Sequence, residues 1–548
     1  MRRLSRIILF GLLMVPRGAT AQTQAPPAYR DPRLPVAERV RDLLGRMTLE
    51  EKFWQLFMIP GDLDDPAHDY SNGTFGLQIS VPRDAHASAA RAHAERINGI
   101  QRFFVDRTRL GIPIIPFEEA VHGLAREGAT VFPSAIALAA TWDTSRMANV
   151  ANAIARETRS RGIRQVLSPV VNIASDVRWG RVEETYGEDP YLASLMARAF
   201  VAAFERAGIV ATPKHFVANV GDGGRDSYPI DASERWLEEY HFPPFKAALA
   251  AGARSVMSAY NSVDGAPATQ SRWLLTNKLK REWSFPGFVI SDAAATGGAT
   301  VLHFTEPNTA TAAKHALEAG LDVLFQSSFP QHRPYLDAFR AGLIADSVID
   351  VAVARVLRVK FDLGLFEQPY VNVDNAAFWN GNADHRALAR DAARASIVLL
   401  RNERNVLPLI RTVRNVAVIG SDAVEARLGG YSGPGNRKVS ILDGIRESLG
   451  RPAEILSASG PGRLTQEVVL VPDELLSFAS DTGTLRGLKG EYFDNNRLQG
   501  TPSLVRTDPR IDFRWTLNSP GRGIPFDWYS ARWNGRLIVP AGGVRRIG

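Results

Sequence analysis

Across residues 36–366, short apolar runs alternate with longer amphipathic stretches. The runs include Ile112–Glu118 (IPIIPFE), Val166–Ala174 (VLSPVVNIA), Ile209–Asn219 (IVATPKHFVAN), Ser255–Asn261 (SVMSAYN), Phe288–Ala293 (FVISDA) and Leu321–Gln326 (LDVLFQ). A run such as Phe288-Val289-Ile290, with no polar alternation, predicts a strand buried on both faces, as in a parallel sheet covered by helices. Between the runs, RMANVANAIARETRSRG (146–162) and PYLASLMARAFVAAFERAG (190–208) space their apolar residues for a helix and end in Gly, a helix stop. Strand and helix alternating over about 330 residues predict a (β/α)8-type TIM barrel, with an open doubly wound sheet as the alternative.

The pattern changes after Phe366. A stretch rich in Asn, Pro and aromatics (FEQPYVNVDNAAFWNGNADH) reads as a linker, followed by a helix from about Arg386 to Leu400 and a strand over Asn415–Ala423. These predict the opening of a second α/β domain. The strand ends on a single Gly without a dinucleotide fingerprint, and GGYSGPGN (429–436) lacks the Lys-Ser/Thr pair of a phosphate cradle, so it reads as a flexible loop. After about Leu485, GLKGEYFDNNRLQG, IDFRW and ARWNGRLIVPAGG are short, aromatic, turn-punctuated segments that predict an all-β module. A β-sandwich takes about 100 residues. The expectation is that this module, and the α/β domain it interrupts, are incomplete.

The organisation expected is a signal peptide (1–21), a barrel domain (22–366), a linker (367–395), the start of an α/β sandwich (396–484) and a partial β module (485–548). The first segment rests on Arg2, Arg3 and Arg6, an apolar core from Ile7 to Val15, and the small triplet Ala19-Thr20-Ala21. Export to the periplasm or outside the cell is expected, with no membrane anchor after cleavage. Of the 548 residues, 45% are hydrophobic and 22% charged, as in globular proteins, which excludes disordered and collagen-like classes. The formal charge of +7 is spread over 65 basic and 58 acidic residues without a basic block, so no nucleic acid partner is expected. With no Cys, thiolate metal sites, disulfides and Cys nucleophiles are excluded.

Candidate chemistry collects at the ends of the barrel runs: Glu119, Arg181, Lys214, His215, Tyr260 and Asp292. A neutral-sugar site needs this mixture, because hydroxyls want donors and acceptors while the anomeric carbon wants a carboxylate. On composition alone, Asp292 also suits a helix N-cap, the Lys-His pair a buried ion pair, and Tyr260 ordinary packing. His122 and Glu183 lie in motifs open to a purely structural reading. No His-x-His or His-Glu-x-x-His pair supports a metal-dependent hydrolase, and no cofactor is expected.

Six segments in order, GIPIIPFEEAVHG, VRWGRVEETYGEDP, PKHFVAN, SERWLEEYHFPPFKAAL, SVMSAYNSVDG and GFVISDAAA, resemble glycoside hydrolase family 3 across residues 36–366. AVIGSDA with LGGYSGPG resembles the start of that family's second domain, and GLKGEYFDN the start of a PA14 module. The resemblance implies a retaining exo-acting β-glycosidase, of β-glucosidase or β-xylosidase type, taking oligosaccharide or β-glycoside substrates. Asp292 matches the family nucleophile, Arg181, Lys214 and His215 its sugar-hydroxyl ligands, and Tyr260 the aromatic beside the nucleophile. There are two departures. Ala293 stands where many members have Trp, and Glu119 where the family's glucosidases usually have Asp and its xylosidases often Glu, which tilts the reading toward a pentose. In similar members carrying a PA14 module the acid/base Glu lies after that module, so the chain is expected to be a fragment ending before it. A catalytically impaired sugar-binding fragment is the alternative. The loop VGDGGRDSYPID has no His, which disfavours the family's N-acetylglucosaminidase branch.

Overall fold

A computed structural model describes residues 27–548 except 82–88, 411–412, 451–453, 461–469, 482, 514–518, 526–528, 540–541 and 543–548. The expected signal peptide lies outside the described residues. Among the described residues, eight strands form a ring: β1 (Phe57–Pro60), β2 (Gly76–Gln78), β3 (Phe117–Glu118), β4 (Gln165–Val166), β5 (Val210–Ala211), β6 (Ser255–Met257), β7 (Phe288–Ile290) and β8 (Leu324–Phe325). Parallel pairing joins β1 to β2, β3 to β4, β4 to β5 and β6 to β7. Phe216 bridges Ser258 between the β5 and β6 segments, Ile290 bridges Val323, and β8 pairs back onto β1 through Phe57 and Leu324. The remaining step is a backbone bond from Ile115 N–H to the Phe75 carbonyl at 3.0 Å. There a Cβ on Gly76 would stand 2.0 Å from the Ile115 carbonyl oxygen, so only glycine permits this approach. The ring closes, which selects the barrel over the open sheet.

Two of the surrounding helices show why the amphipathic stretches fold as they do. Helix α1 (Thr144–Ser160) begins at Asp143, whose carboxylate accepts the Arg146 N–H at 3.0 Å. Helix α2 (Pro190–Arg206) is capped by Asp189, which accepts from Tyr191 and Leu192, and it starts on Pro190, where a missing N–H does no harm. Its buried residues Leu192, Ala193, Met196, Ala197, Phe200, Val201 and Phe204 recur at helical spacing and form one stripe against the barrel. Phe200 and Phe204 stack at 4.5 Å. Each such ring contributes about 1.5–3 kcal/mol through removal from water.

The observed strands are shorter than the apolar runs. In Ile209–Asn219 only Val210–Ala211 is regular strand, and the rest crosses the mouth, with cis peptide bonds at Lys214–His215 and Phe216–Val217. Backbone there answers to side chains instead of a ladder: Asn219 N–H donates to Asn261 Oδ1 at 3.0 Å. The extra residues of each run are therefore the site-bearing ones.

The linker folds as two helices, α3 (Val373–Trp379) and α4 (Ala383–Ala395). Helix α4 starts before the expected Arg386 because Asn382 caps it, accepting the His385 N–H at 2.8 Å. It ends before Ile397-Val398, whose branched side chains disfavour its continuation. Buried Glu157 of α1 fastens this linker to the barrel. Its carboxylate accepts from Thr130 N at 2.8 Å, Thr130 Oγ1 at 2.7 Å and Gly381 N at 3.2 Å, and meets His385 Nδ1 at 2.7 Å.

Beyond the linker, β9 (Asn415–Ile419) and β10 (Glu454–Ala458) pair in parallel. In the all-β part, β11 (Leu476–Ser480) pairs with β12 (Gly483–Arg486). The strand β13 (Leu488–Phe493) runs antiparallel to both β14 (Leu504–Asp508) and β15 (Ser530–Asn534). Asp508 holds this sheet, accepting from Tyr492 Oη at 2.5 Å and Trp533 Nε1 at 2.8 Å. No helix among the described residues is long and apolar enough to cross a membrane.

Substitution Glu157→Ala leaves several buried donors without an acceptor. It is expected to lower stability by about 3–5 kcal/mol, read from the urea midpoint at unchanged slope. A loss below about 1 kcal/mol would show that the linker helices are held by apolar packing instead.

Candidate active site

All six residues singled out in the sequence meet at the C-terminal mouth of the barrel. Asp292 follows β7 and is buried; its Oδ1 accepts the Ala293 N–H at 2.7 Å. The Tyr260 hydroxyl donates to the Ala293 carbonyl at 3.0 Å and lies beside the Asp292 carboxylate. Burial pushes the Asp292 carboxyl above its usual range, while Lys214, the Ala293 amide, Arg181 and Tyr260 pull it back. On Tyr260, burial and the charge of Asp292 together raise the phenol, so it remains a donor.

Lys214 is 1% exposed and lies 2.7 Å from Glu119 Oε1. Burial would strip its proton, but the nearby negative charge of Glu119 overcomes this and the ammonium is held above its ordinary value. Glu119 is pushed up to about 7 by burial against the pull of Lys214, and the charges of Glu118 and Asp292 add to the rise. Its second oxygen accepts weakly from Ser168 Oγ at 3.5 Å. The preceding Glu118 turns away, accepting from Gln78 Nε2 at 2.5 Å and from Arg126.

His215 is fixed from three sides. Its backbone N–H and ring Nδ1 both meet Asn172 Oδ1, at 2.8 and 2.9 Å, and Asn172 Nδ2 returns a bond to the His215 carbonyl at 2.8 Å. Because that Asn oxygen only accepts, Nδ1 carries the proton. Burial, with Arg181 and Lys214 adding, holds the imidazole well below its usual value and hence neutral. Nε2 is then a bare acceptor for Arg181 Nη2 at 3.2 Å, and its 3.5 Å approach to Asp292 Oδ2 is no ion pair. Arg181 is itself aimed by a two-pronged contact with Glu184, at 2.9 and 2.8 Å.

The sequence reading missed one residue at the mouth, Tyr431. It comes from GGYSGPGN, which docks on the barrel instead of forming a free loop. The Lys214 ammonium lies 4.4 Å from its ring centroid, and Arg181 Nη2 reaches its hydroxyl at 3.5 Å. His122 and Glu183 hold the loop there: His122 Nε2 meets the Gly430 carbonyl at 2.9 Å, and Glu183 Oε1 accepts the Gly430 N–H at 2.9 Å. A Cβ on Gly433 would lie 2.7 Å from the Arg126 carbonyl oxygen, so the loop is pressed onto the barrel wall. The available signal was a lone aromatic among glycines, but only the tertiary fold shows where it goes. No group of three or more His, Cys, Asp or Glu among the described residues is placed to hold a metal ion.

Fold and site together define a (β/α)8 barrel whose mouth presents a buried carboxylate ringed by compensated cations. Residues 48–359 match the Glycosyl hydrolase family 3 N terminal domain, 397–505 the Glycosyl hydrolase family 3 C-terminal domain, and 485–548 the PA14 domain. The chain belongs to glycosyl hydrolase family 3. It is 36% identical to a β-xylosidase of Formosa agariphila over 64% of this chain and 53% of that protein. It is 33% identical to a periplasmic β-glucosidase of Salmonella typhimurium over 77% of this chain and 55% of that protein. The solved β-glucosidase of Erythrobacter marinus superposes with a TM-score of 0.73 at 34% identity, covering 80% of this chain and 60% of that one. The chain spans about half the length of the curated relatives it matches.

Replacing Glu183 by Ala removes the acceptor of the Gly430 amide. Hydrogen exchange at that amide is expected to quicken at least tenfold, with barrel amides unchanged. An unchanged rate would mean that the loop does not rest on this contact.

Proposed function

We propose that this chain carries the nucleophile and sugar-holding half of an exo-acting, retaining β-glycosidase. The observation that carries the reading is Asp292, a carboxylate at the barrel mouth with Lys214, His215 and Arg181 grouped about it. The names of the relatives support the substrate class, a terminal β-linked glucose or xylose. In this reading an Asp292 oxygen attacks the anomeric carbon, the glycosidic C–O bond breaks, and its electron pair leaves with the aglycone oxygen. Water then cleaves the glycosyl-enzyme ester and returns Asp292. Glu119, Lys214, His215 and Arg181 hold the ring hydroxyls, and Tyr260 steadies the nucleophile. The longer Glu119 side chain crowds a C6 hydroxymethyl group and favours a pentose.

Departure of an unactivated sugar also needs a proton donor roughly 5 Å from the nucleophile. Among the described residues, Glu119 is engaged with Lys214, Glu183 with Gly430, Glu184 with Arg181, and Asp226 with Trp179 at 2.7 Å. We assign none of them as that acid. This engagement favours a second reading, in which the chain binds saccharides and turns over only glycosides with good leaving groups. We further propose export, supported by the character of residues 1–21 and by a relative named periplasmic. The proposed division is a catalytic barrel over 22–366, a linker over 367–395, an α/β part over 396–484 and a β module over 485–548.

The test uses a dinitrophenyl β-glycoside, whose leaving group needs no proton. Asp292→Asn is expected to lower kcat by about 10⁴-fold or more, and a 2-fluoro sugar to label the peptide containing Asp292 in the unaltered chain. Label elsewhere sinks the assignment. Because burial raises the carboxyls of Asp292 and Glu119, the latter to about 7, kcat/KM should climb as pH rises and the nucleophile ionises. Glu119→Gln removes a negative charge near Asp292 and should move this acid limb to lower pH; a limb that stays put dissociates Glu119 from the titration.

A further inference from the structure

At the foot of the barrel, away from the mouth, the C-terminal ends of α1 and α2 and the linker enclose a groove of about 620 Å³. Arg156, Arg159 and Arg206 line it together with Tyr370, Asn375 and Trp379. The volume lies within the range of small-ligand sites, about 300–1,000 Å³, and exceeds what one inorganic anion fills. Arg156 lies 5.1 Å over the Trp379 ring. Among the described residues, no carboxylate pairs with any of the three arginines.

Three neighbouring acids are taken, while Asp106 acts on Tyr370, whose ring has Arg102 at 5.7 Å from its centroid. Glu157 is committed to Thr130, Gly381 and His385, Glu205 to Arg254 at 2.6 Å, and Asp374 to Arg91. Burial holds the Arg159 guanidinium below its ordinary value with no carboxylate opposing it. Buried Arg164 lies close behind, pushed down to about 9 by burial and then by the charge of Arg159. Basic residues at helix C-termini have an ordinary explanation in the helix dipole. Each end, however, carries only about half a negative charge, so two ends offset about one cation of three. Roughly two positive charges remain, beside two aromatic walls and amide side chains.

We propose that this groove binds a carboxylate-bearing saccharide, with the guanidinium groups taking the carboxylates and Tyr370 and Trp379 bordering the sugar beside the arginines that lie over their rings. Guanidinium matches carboxylate in two-pronged geometry. Amide side chains such as Asn375 supply donors and acceptors for hydroxyls. The site is separate from the barrel mouth and does not depend on Asp292.

Calorimetric titration of the full chain with tri-galacturonic acid at low salt tests this, with xylotriose and sulfate as comparison probes. The expected result is saturable binding of the uronate trimer that persists in Asp292→Asn and weakens at least tenfold in the double variant Arg159→Gln/Arg206→Gln. Trp379→Leu is expected to weaken the trimer but not sulfate. Unchanged thermal unfolding of each variant shows that the fold is kept, and Arg156→Gln serves as the alternative where one of them unfolds. Absence of trimer binding overturns the proposal, as does binding indifferent to these substitutions. Sulfate or xylotriose binding in the groove as tightly as the trimer also overturns it, the first marking a simple anion hole and the second a neutral-sugar groove.

Discussion

The 2.7 Å contact between Lys214 and Glu119 sets the terms for everything around it. An ammonium with 1% exposure is untenable without a counter-charge, and the Glu119 side chain, 12% exposed, supplies it. Once paired, the two project a polarised edge into the mouth, and their fields bear on Asp292 from opposite directions. The neutral state of His215 belongs to the same accounting. Burial disfavours a charge there, and with Arg181 and Lys214 already positive a third cation has no place, so the imidazole presents a lone pair. Two cations thus face the carboxylates of Glu119, Asp292 and Glu184, and a region close to charge balance tolerates burial while remaining rich in donors and acceptors.

Loops beyond the short strands build this arrangement, and the closed ring holds the loops. Gly76 allows β2 and β3 to close together, Asn172 ties the β4 segment to His215, and Asn261 ties the β6 segment to Asn219. Rigidity at the mouth follows from cross-strand side-chain bonds at positions where the backbone ladder has ended. Sites on barrels commonly stand at this edge because the strands leave it free to vary.

Much of this was legible in the sequence. The unbroken runs and Gly-terminated amphipathic stretches correctly indicated strands, helices and a closed α/β architecture, since burial on both faces leaves a plain compositional mark. The polar residues at the run ends were legible for the complementary reason: Lys, His and Asp beside Val and Ile need a purpose. Strand lengths were not legible. Periodicity cannot tell a hydrogen-bonded strand from an extended segment that crosses the mouth, as in residues 212–219. The start of α4 was misjudged because Asn382, inside an apparently irregular stretch, is its cap. Tyr431 escaped because a glycine-rich loop has no periodicity, and its partners stand some 200 to 300 positions earlier in the chain, at Lys214 and His122.

The hold on Gly430 is made through its carbonyl and its amide, groups that every residue except proline possesses. Anchorage of the second domain's loop is therefore separated from the identity of the side chain beside it. A change at position 431 can trade a broad ring for a small or acidic group without releasing the loop from His122 and Glu183. Descendants of such a chain can re-tool the roof over the mouth one codon at a time, while the docking that presents it stays constant.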